Sequence, residues 1–392
     1  MAGRSARRPR NGPPGNRMTA QLSNPRLNAP LNPNLPSSLL PDLPPDANLL
    51  VIRLRSIGDV VLTLPAVQAL HDWRPDLKIH ILVEPLCVPL LESHPAISEV
   101  IVLRKFWDTV RQLRRRHFAS AFNMHGGPTS AFLTRLSGAP VRVCWAQRQF
   151  SSFYNVQVPI HFPVAGRIEM HTAEHRLQQF LWTGLPEKPL PAAKVYVDPK
   201  AANLVRQRLA EQGVKPGEPY AVFRPGASQA NKRWPVERFA AIARWLREAY
   251  GIASVVNLGP GDEQIEAEVR KHFASVGAIM DSLDLRGLIA LLAGSCFFLG
   301  NDTGPTHIAA ALDKKCVVIF GASDSKVWSP WKTEYRIVEN PFPCKQCPRG
   351  ECESLAASQC IFSIRVEDVR EACEALLQES RESPLRSSRS SQ

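Results

Sequence analysis

At 392 residues the chain is longer than one ordinary domain and accommodates about two at a scale of roughly 150 residues each. Its 44% hydrophobic and 21% charged content excludes wholesale disorder. The net charge of +12 points to anionic partners. Part of it, Arg4, Arg7, Arg8, Arg10, Arg17 and Arg26, falls in a Pro- and Asn-rich leader over 1–47 that is expected to be disordered.

The leader lacks the apolar stretch of a secretory signal. The longest apolar run, Leu288 to Leu299, falls short of the ~20 residues that span a bilayer. A cytoplasmic protein without a transmembrane helix is therefore expected.

From Asn48 onward, short apolar runs alternate with helical patterns, which predicts parallel sheets covered by helices. Leu49 to Leu54 reads as the first strand. A turn at Arg55 to Gly58 then leads into a helix with Val60, Val61, Leu64, Val67 and Leu70 on one side. Ile79–Val83, Val100–Leu103, Ala119–Asn123 and Val141–Trp145 read as further strands, with helices over Trp107–His117 and Thr129–Leu136. The run Arg111, Arg114, Arg115 and Arg116 suits either a solvated helix face or an anionic surface.

The proline-punctuated segment Gln157 to Lys200, with a helix over Ala173–Trp182, is the best candidate for a linker. A second α/β series follows. It has strands at Tyr220–Phe223, Ser254–Leu258, Cys296–Leu299 and Val317–Phe320, and helices over Pro235–Ala249 and Glu263–His272. Another helix starts after Asp302, and a last one covers Glu367–Leu377. The expected organisation is a leader over 1–47, one Rossmann-like domain over 48–190, a second over 191–380, and a flexible tail over 381–392. Ligands of open α/β sheets bind beyond the carboxyl ends of the strands.

Three strand-to-helix loops there carry suitable chemistry. In Ser56-Ile57-Gly58-Asp59, Gly58 permits a tight turn and Asp59 lies near a helix N-terminus, where a carboxylate is stabilised; a simple helix cap is the plainer alternative. The Gly-x-Gly-x-x-Gly of a dinucleotide-binding dehydrogenase is missing at this turn. In Arg224-Pro225-Gly226-Ala227-Ser228 with Lys232-Arg233-Trp234-Pro235, a hydroxyl and a cation precede a helix start, which suits diphosphate; an ordinary loop with a solvated lysine is the plainer alternative. In Asn301-Asp302-Thr303-Gly304-Pro305-Thr306-His307, Asp302 suits sugar hydroxyls, and Thr303 and the helix N-terminus suit phosphate. His307 is either a phosphate donor or a structural hydrogen-bonder.

Together, in this order, the loops resemble those of glycosyltransferase family nine, the family of the ADP-heptose lipopolysaccharide heptosyltransferases. The resemblance covers roughly Leu49 to Leu377 and includes Thr63-Leu64-Pro65, His171, and Gly259 with Glu263. It implies a GT-B fold, with two Rossmann-like domains facing each other across a cleft and the acceptor held by the first. Asp59 would be the catalytic base of an inverting transfer, with Ser56 and Gly58 beside it on the acceptor side. Ser228, Lys232, Thr303 and Gly304 would serve the donor phosphates, with His307 nearby. Asp302 would hold the sugar and Glu263 the ribose.

The donor would be ADP-heptose or another nucleotide sugar. The acceptor would be an anionic glycolipid of the inner core, reached by transient association with the inner membrane surface; nucleic acid is not an expected partner. No cofactor is implied, and the chain has no Asp-x-Asp motif. Asn123-Met124-His125-Gly126-Gly127 departs from the acidic-Leu-Gln-Gly of many relatives, and Thr306 stands where Met is common. Two alternatives remain: a GT-B transferase acting on a different cell-envelope glycan, and a non-catalytic polyanion-binding protein. Cys344, Cys347, Cys352 and Cys360 suit a structural zinc, reduced thiols or disulfides.

Overall fold

The computed structural model describes residues 36–160, 162–340 and 359–387. Two six-stranded, wholly parallel sheets organise them. In chain order the first half contains β1 (Asn48–Ile52), α1 (Ile57–Val61), α2 (Leu64–Trp73), β2 (Lys78–Val83) and β3 (Glu99–Val102). It continues with α3 (Phe106–Arg114), β4 (Ser120–Asn123), α4 (Pro128–Leu136), β5 (Val141–Trp145), β6 (Val156–Val158) and α5 (Thr172–Trp182). The second half contains α6 (Pro199–Glu211), β7 (Tyr220–Arg224), α7 (Val236–Tyr250), β8 (Ala253–Asn257), α8 (Glu263–Phe273), β9 (Ala278–Met280) and α9 (Leu285–Gly294). It ends with β10 (Phe297–Asn301), α10 (Gly304–Ala311), β11 (Lys315–Phe320), α11 (Ser325–Trp328), β12 (Tyr335–Glu339), α12 (Gln359–Phe362) and α13 (Val366–Ser387).

The strand orders are β3-β2-β1-β4-β5-β6 and β12-β11-β10-β7-β8-β9. Both follow the doubly wound Rossmann pattern, whose order reverses between the first and fourth strands of each sheet. The loops after β1 and β4, and those after β7 and β10, therefore flank the two crevices where ligands bind. All three sequence motifs lie on such loops.

Strand pleating sorts the core. In β1, Leu49 and Val51 join the cluster under α2, while Leu50 and Ile52 join a separate cluster with Val110 and Leu113 of α3 and Leu133 of α4. The helix expected after β1 is split in two, because Pro65 occupies the first turn of α2 and cannot continue a helix from α1.

The expected linker is more structured than its prolines suggest. β6 extends the first sheet, α5 packs on the same side as α2, and Pro199 starts α6 with Asp198 capping it. The crossing segment is anchored by Trp331 Nε1, which donates to the Pro191 carbonyl at 2.9 Å. The expected boundary of the leader also shifts. Leu40 is wholly buried, its N–H donates to the Thr183 carbonyl at 2.9 Å, and Arg74 donates to the carbonyls of Leu40, Pro41 and Leu43. These leucines, spaced among prolines, supply apolar surface to the core. The rest of the leader lies outside the described residues. α13 runs on past Leu377 into the segment expected to be a flexible tail.

Candidate active site

A cleft of about 540 Å³ is lined by loops of both sheets. From the first come Ser56, Gly58 and Asp59. From the second come Ser228, Lys232, Asp302, Thr303, Gly304 and His307. Of the residues expected at the donor and acceptor sites, Glu263 is the one not on this lining.

Asp59 sits in the short α1 but does not cap it. Its Oδ1 accepts from Arg53 and, at 2.8 Å, from Arg176, and its Oδ2 accepts from Ser56 Oγ at 3.1 Å. Burial alone would raise its pKa, but the two guanidiniums outweigh that and hold the carboxyl below the usual carboxylate range. Burial, with Arg53 as a like-charged neighbour, lowers Arg176 to about 10. The Arg176 guanidinium also stands over the Trp145 ring at 5.5 Å, and His175 stacks on the same ring at 4.6 Å.

Sequence reasoning missed both arginines, although each left a signal. Arg53 interrupts the apolar run of the first strand, and Arg176 falls on the buried face of α5 between Ala173 and Phe180. A charge at a core position needs a partner, and here the partner is Asp59.

On the opposite wall, Lys232 Nζ donates to Asp302 Oδ2 at 2.9 Å. Asn301 holds this wall together: its Oδ1 accepts from the Trp234 N–H at 3.2 Å and its Nδ2 donates to the Pro225 carbonyl at 2.7 Å. Thr303 precedes the first turn of α10 and makes no side-chain cap, so that N-terminus opens on the cleft. Ser228 is exposed on the loop after β7.

His307 is buried, and burial pushes its pKa down to about 4, so it is neutral at pH 7. Its role in packing is plain. A Cβ on Gly58 would lie 2.7 Å from His307 Cδ2, and one on Gly304 would lie 2.9 Å from Ile57 Cβ. Two glycines thus let α1 and α10 meet across the cleft.

At the turn after β8, the acid facing the cleft is Asp262. It is ion-paired with Arg224, and its Oδ2 accepts from the Gly259 N–H at 2.8 Å. Glu263 stands exposed at the start of α8, where its carboxylate accepts from the Gly261 N–H at 3.1 Å. Spacing could not separate two adjacent acids at one helix start. His171 caps α5, with its Nδ1 accepting from the Ala173 N–H; its Nε2 donates to the Ser329 carbonyl at 2.9 Å, tying the two halves together. Cys344, Cys347 and Cys352 lie outside the described residues, and Cys360 lies in α12. Among the described residues no group of three metal-ligating side chains converges.

Trp328 also lines a neighbouring groove of about 1090 Å³, where Arg148, Arg167, Arg176, Lys326 and Lys332 outnumber Glu169, Glu174 and Asp324. Two Rossmann-like sheets facing across one cleft, with a carboxylate on one wall and a helix N-terminus with a lysine on the other, have the arrangement of a GT-B glycosyltransferase. The sequence profile of glycosyltransferase family 9 (heptosyltransferase) matches residues 106–357, and the chain belongs to that family. It is 27% identical over 295 residues to lipopolysaccharide heptosyltransferase 3 of Escherichia coli, covering 71% of this chain and 84% of that one. It is 26% identical over 324 residues to lipopolysaccharide heptosyltransferase 1 of Pseudomonas aeruginosa, covering 78% and 87%.

Among solved structures, a family 9 glycosyltransferase of Veillonella parvula superposes with a TM-score of 0.74 at 19% identity, over 86% of this chain and 99% of that one. The ADP-heptose heptosyltransferase II of Escherichia coli superposes at 0.69 with 21% identity, over 85% and 99%. The protein is thus a glycosyltransferase enzyme. No helix among the described residues is long and apolar enough to cross a membrane.

Proposed function

We propose that the enzyme transfers a heptose from ADP-heptose to a lipopolysaccharide inner-core acceptor, in the cytoplasm at the inner face of the membrane, with inversion at the anomeric carbon. The observation that carries this reading is the single cleft in which Asp59 faces Lys232, Asp302 and the N-terminus of α10. The heptosyltransferase relatives suggest the sugar and the acceptor.

Asp59 takes the proton of the attacking hydroxyl. Arg53 and Arg176 keep it ionised, and they also weaken it as a base. Proton transfer is therefore late, after the forming C–O bond has made the hydroxyl acidic. Ser56 fixes the carboxylate's second oxygen. On the far wall, the departing diphosphate competes with Asp302 for Lys232, and the Gly304 N–H at the start of α10 and the Ser228 hydroxyl share its charge. Asp302, released from the lysine, accepts from the sugar hydroxyls, and Glu263 reaches the ribose from the rim. The arginines and lysines of the neighbouring groove suit an anionic acceptor.

The test is to incubate the enzyme with ADP-heptose and a heptose-free inner-core acceptor, follow the mass of the product, and assign the new anomeric centre by NMR. One added heptose with inverted configuration is expected. Transfer only from a different nucleotide sugar, or retained configuration, would refute the proposal.

A further inference from the structure

α3 and α4 together cover one side of the first sheet, and their outward faces carry exposed aromatic and basic side chains. On α3, Trp107, Arg111, Arg114 and Arg115 recur at helical spacing opposite the buried Val110 and Leu113. On α4, Phe132 and Arg135 do the same opposite Ala131 and Thr134. Asp108 is the one acid within the two helices.

The aromatic residues on this side are exposed. Trp107 is 62% exposed, Phe132 40% and Phe150 38%. Phe132, Phe150 and Phe153 form a cluster with ring centroids 5.1–5.4 Å apart. Phe150 holds its place at a φ of 61°, a left-handed conformation costly for a bulky side chain. Exposed aromatics interleaved with arginines, with almost no acid, match the interface of an anionic bilayer, where the rings enter the headgroup region and the guanidiniums meet lipid phosphate.

We propose that the α3–α4 face is the surface by which this enzyme docks on anionic lipid. The inference rests on the reading that the acceptor is a glycolipid. The face adjoins the site twice. Met124, on the loop into α4, offers its carbonyl to Arg53, the partner of Asp59. Arg148, near Phe150 on its loop, lines the groove that shares Trp328 with the cleft. A glycolipid headgroup at this edge thus leads toward Asp59.

The experiment is sedimentation of the full chain with phosphatidylcholine vesicles, with and without phosphatidylglycerol, alongside turnover on a delipidated acceptor. Wild type is expected to bind only the anionic vesicles. Arg111→Glu/Arg115→Glu should reduce the partition constant by about tenfold or more. Trp107→Ser/Phe132→Ser should reduce it severalfold, and every variant should keep soluble turnover. Brominated phosphatidylglycerol should quench tryptophan fluorescence in wild type, and Trp107→Phe should lose most of that quenching.

Undiminished vesicle binding in both double variants, or quenching unchanged by Trp107→Phe, overturns the face while leaving the glycolipid reading intact. Wild type that ignores anionic vesicles, or binds both kinds equally, also overturns it. So does self-association abolished by these substitutions without any vesicle binding, which would assign the face to a second copy. Loss of heptose transfer with intact vesicle binding would instead count against the functional reading.

Discussion

Arg176, on α5, donates to Oδ1 of Asp59 at 2.8 Å across 117 residues of sequence, and Arg53 donates to the same oxygen. The carboxylate therefore titrates below its ordinary range, and Arg176→Ala should move the acid limb of the pH–rate profile to higher pH. The sign follows from the direction of the shift. With Asp59 as the proposed base, activity should need the ionised carboxylate and fall as pH drops through its folded pKa, which rises when a guanidinium is removed. Arg176→Lys should restore much of the shift. An acid limb that does not move in Arg176→Ala would detach it from Asp59.

Asp59→Asn should lower the rate at saturating substrates by about 10²- to 10⁴-fold while donor affinity holds. The structure adds a consequence that the helix-cap alternative lacks. Asn leaves Arg53 and Arg176 buried without a countercharge, so stability should drop as well, by up to about 3–5 kcal/mol, less for the part of Asp59 that faces solvent. The destabilisation should shrink at acid pH, because a carboxylate with a depressed pKa loses its stabilising contribution as pH falls through its folded value. Near wild-type turnover at a temperature where the variant is folded would move the base elsewhere.

Gly58→Ala drives a methyl toward His307, which a Cβ would meet at 2.7 Å. Overpacking of this kind costs about 1–3 kcal/mol. A double-mutant cycle with His307→Ala checks the cause, because relief of the clash should make the pair less destabilised than the sum of the singles. Additive melting shifts would show that the contact between α1 and α10 is not what requires glycine.

Lys232→Ala should weaken ADP binding by about 10- to 100-fold, the worth of a charge-assisted phosphate contact. Asp302, 6% exposed and stripped of its ammonium, would then repel the diphosphate instead of holding sugar. Calorimetric titration with ADP measures this directly, and unchanged affinity in a folded variant would remove Lys232 from the phosphate site.

The alternation of strands and helices and the three loops were legible because short apolar runs end abruptly at Gly, Ser, Asp or Pro, where a buried strand must turn. What escaped had weaker local signals. β6 and β9 are three residues each, too short for a period to register, and Leu40 stands alone among prolines. The pairs around Asp59 escaped because they join β1 to α5 through the fold, and nothing local in either segment names its partner. Asp262 and Glu263 escaped separation for the opposite reason, since adjacency in sequence hides that one turns inward and the other outward.

That last ambiguity can be resolved by comparing two substitutions. Asp262→Asn removes the countercharge from Arg224 and loosens the turn that Gly259 N–H closes onto the carboxylate. Both partners are largely buried, so it should lower the melting temperature and weaken donor binding together. Glu263→Gln acts on an exposed side chain, so the fold should be indifferent. If Glu263 holds the ribose, the change should still weaken ADP-heptose binding by about tenfold, because a charged hydrogen bond to a hydroxyl becomes a neutral one. Acceptor KM should not change in Glu263→Gln, which separates a donor contact from a general loss of cleft geometry. Donor affinity preserved in Glu263→Gln but lost in Asp262→Asn with an unchanged melting temperature would give the ribose to Asp262.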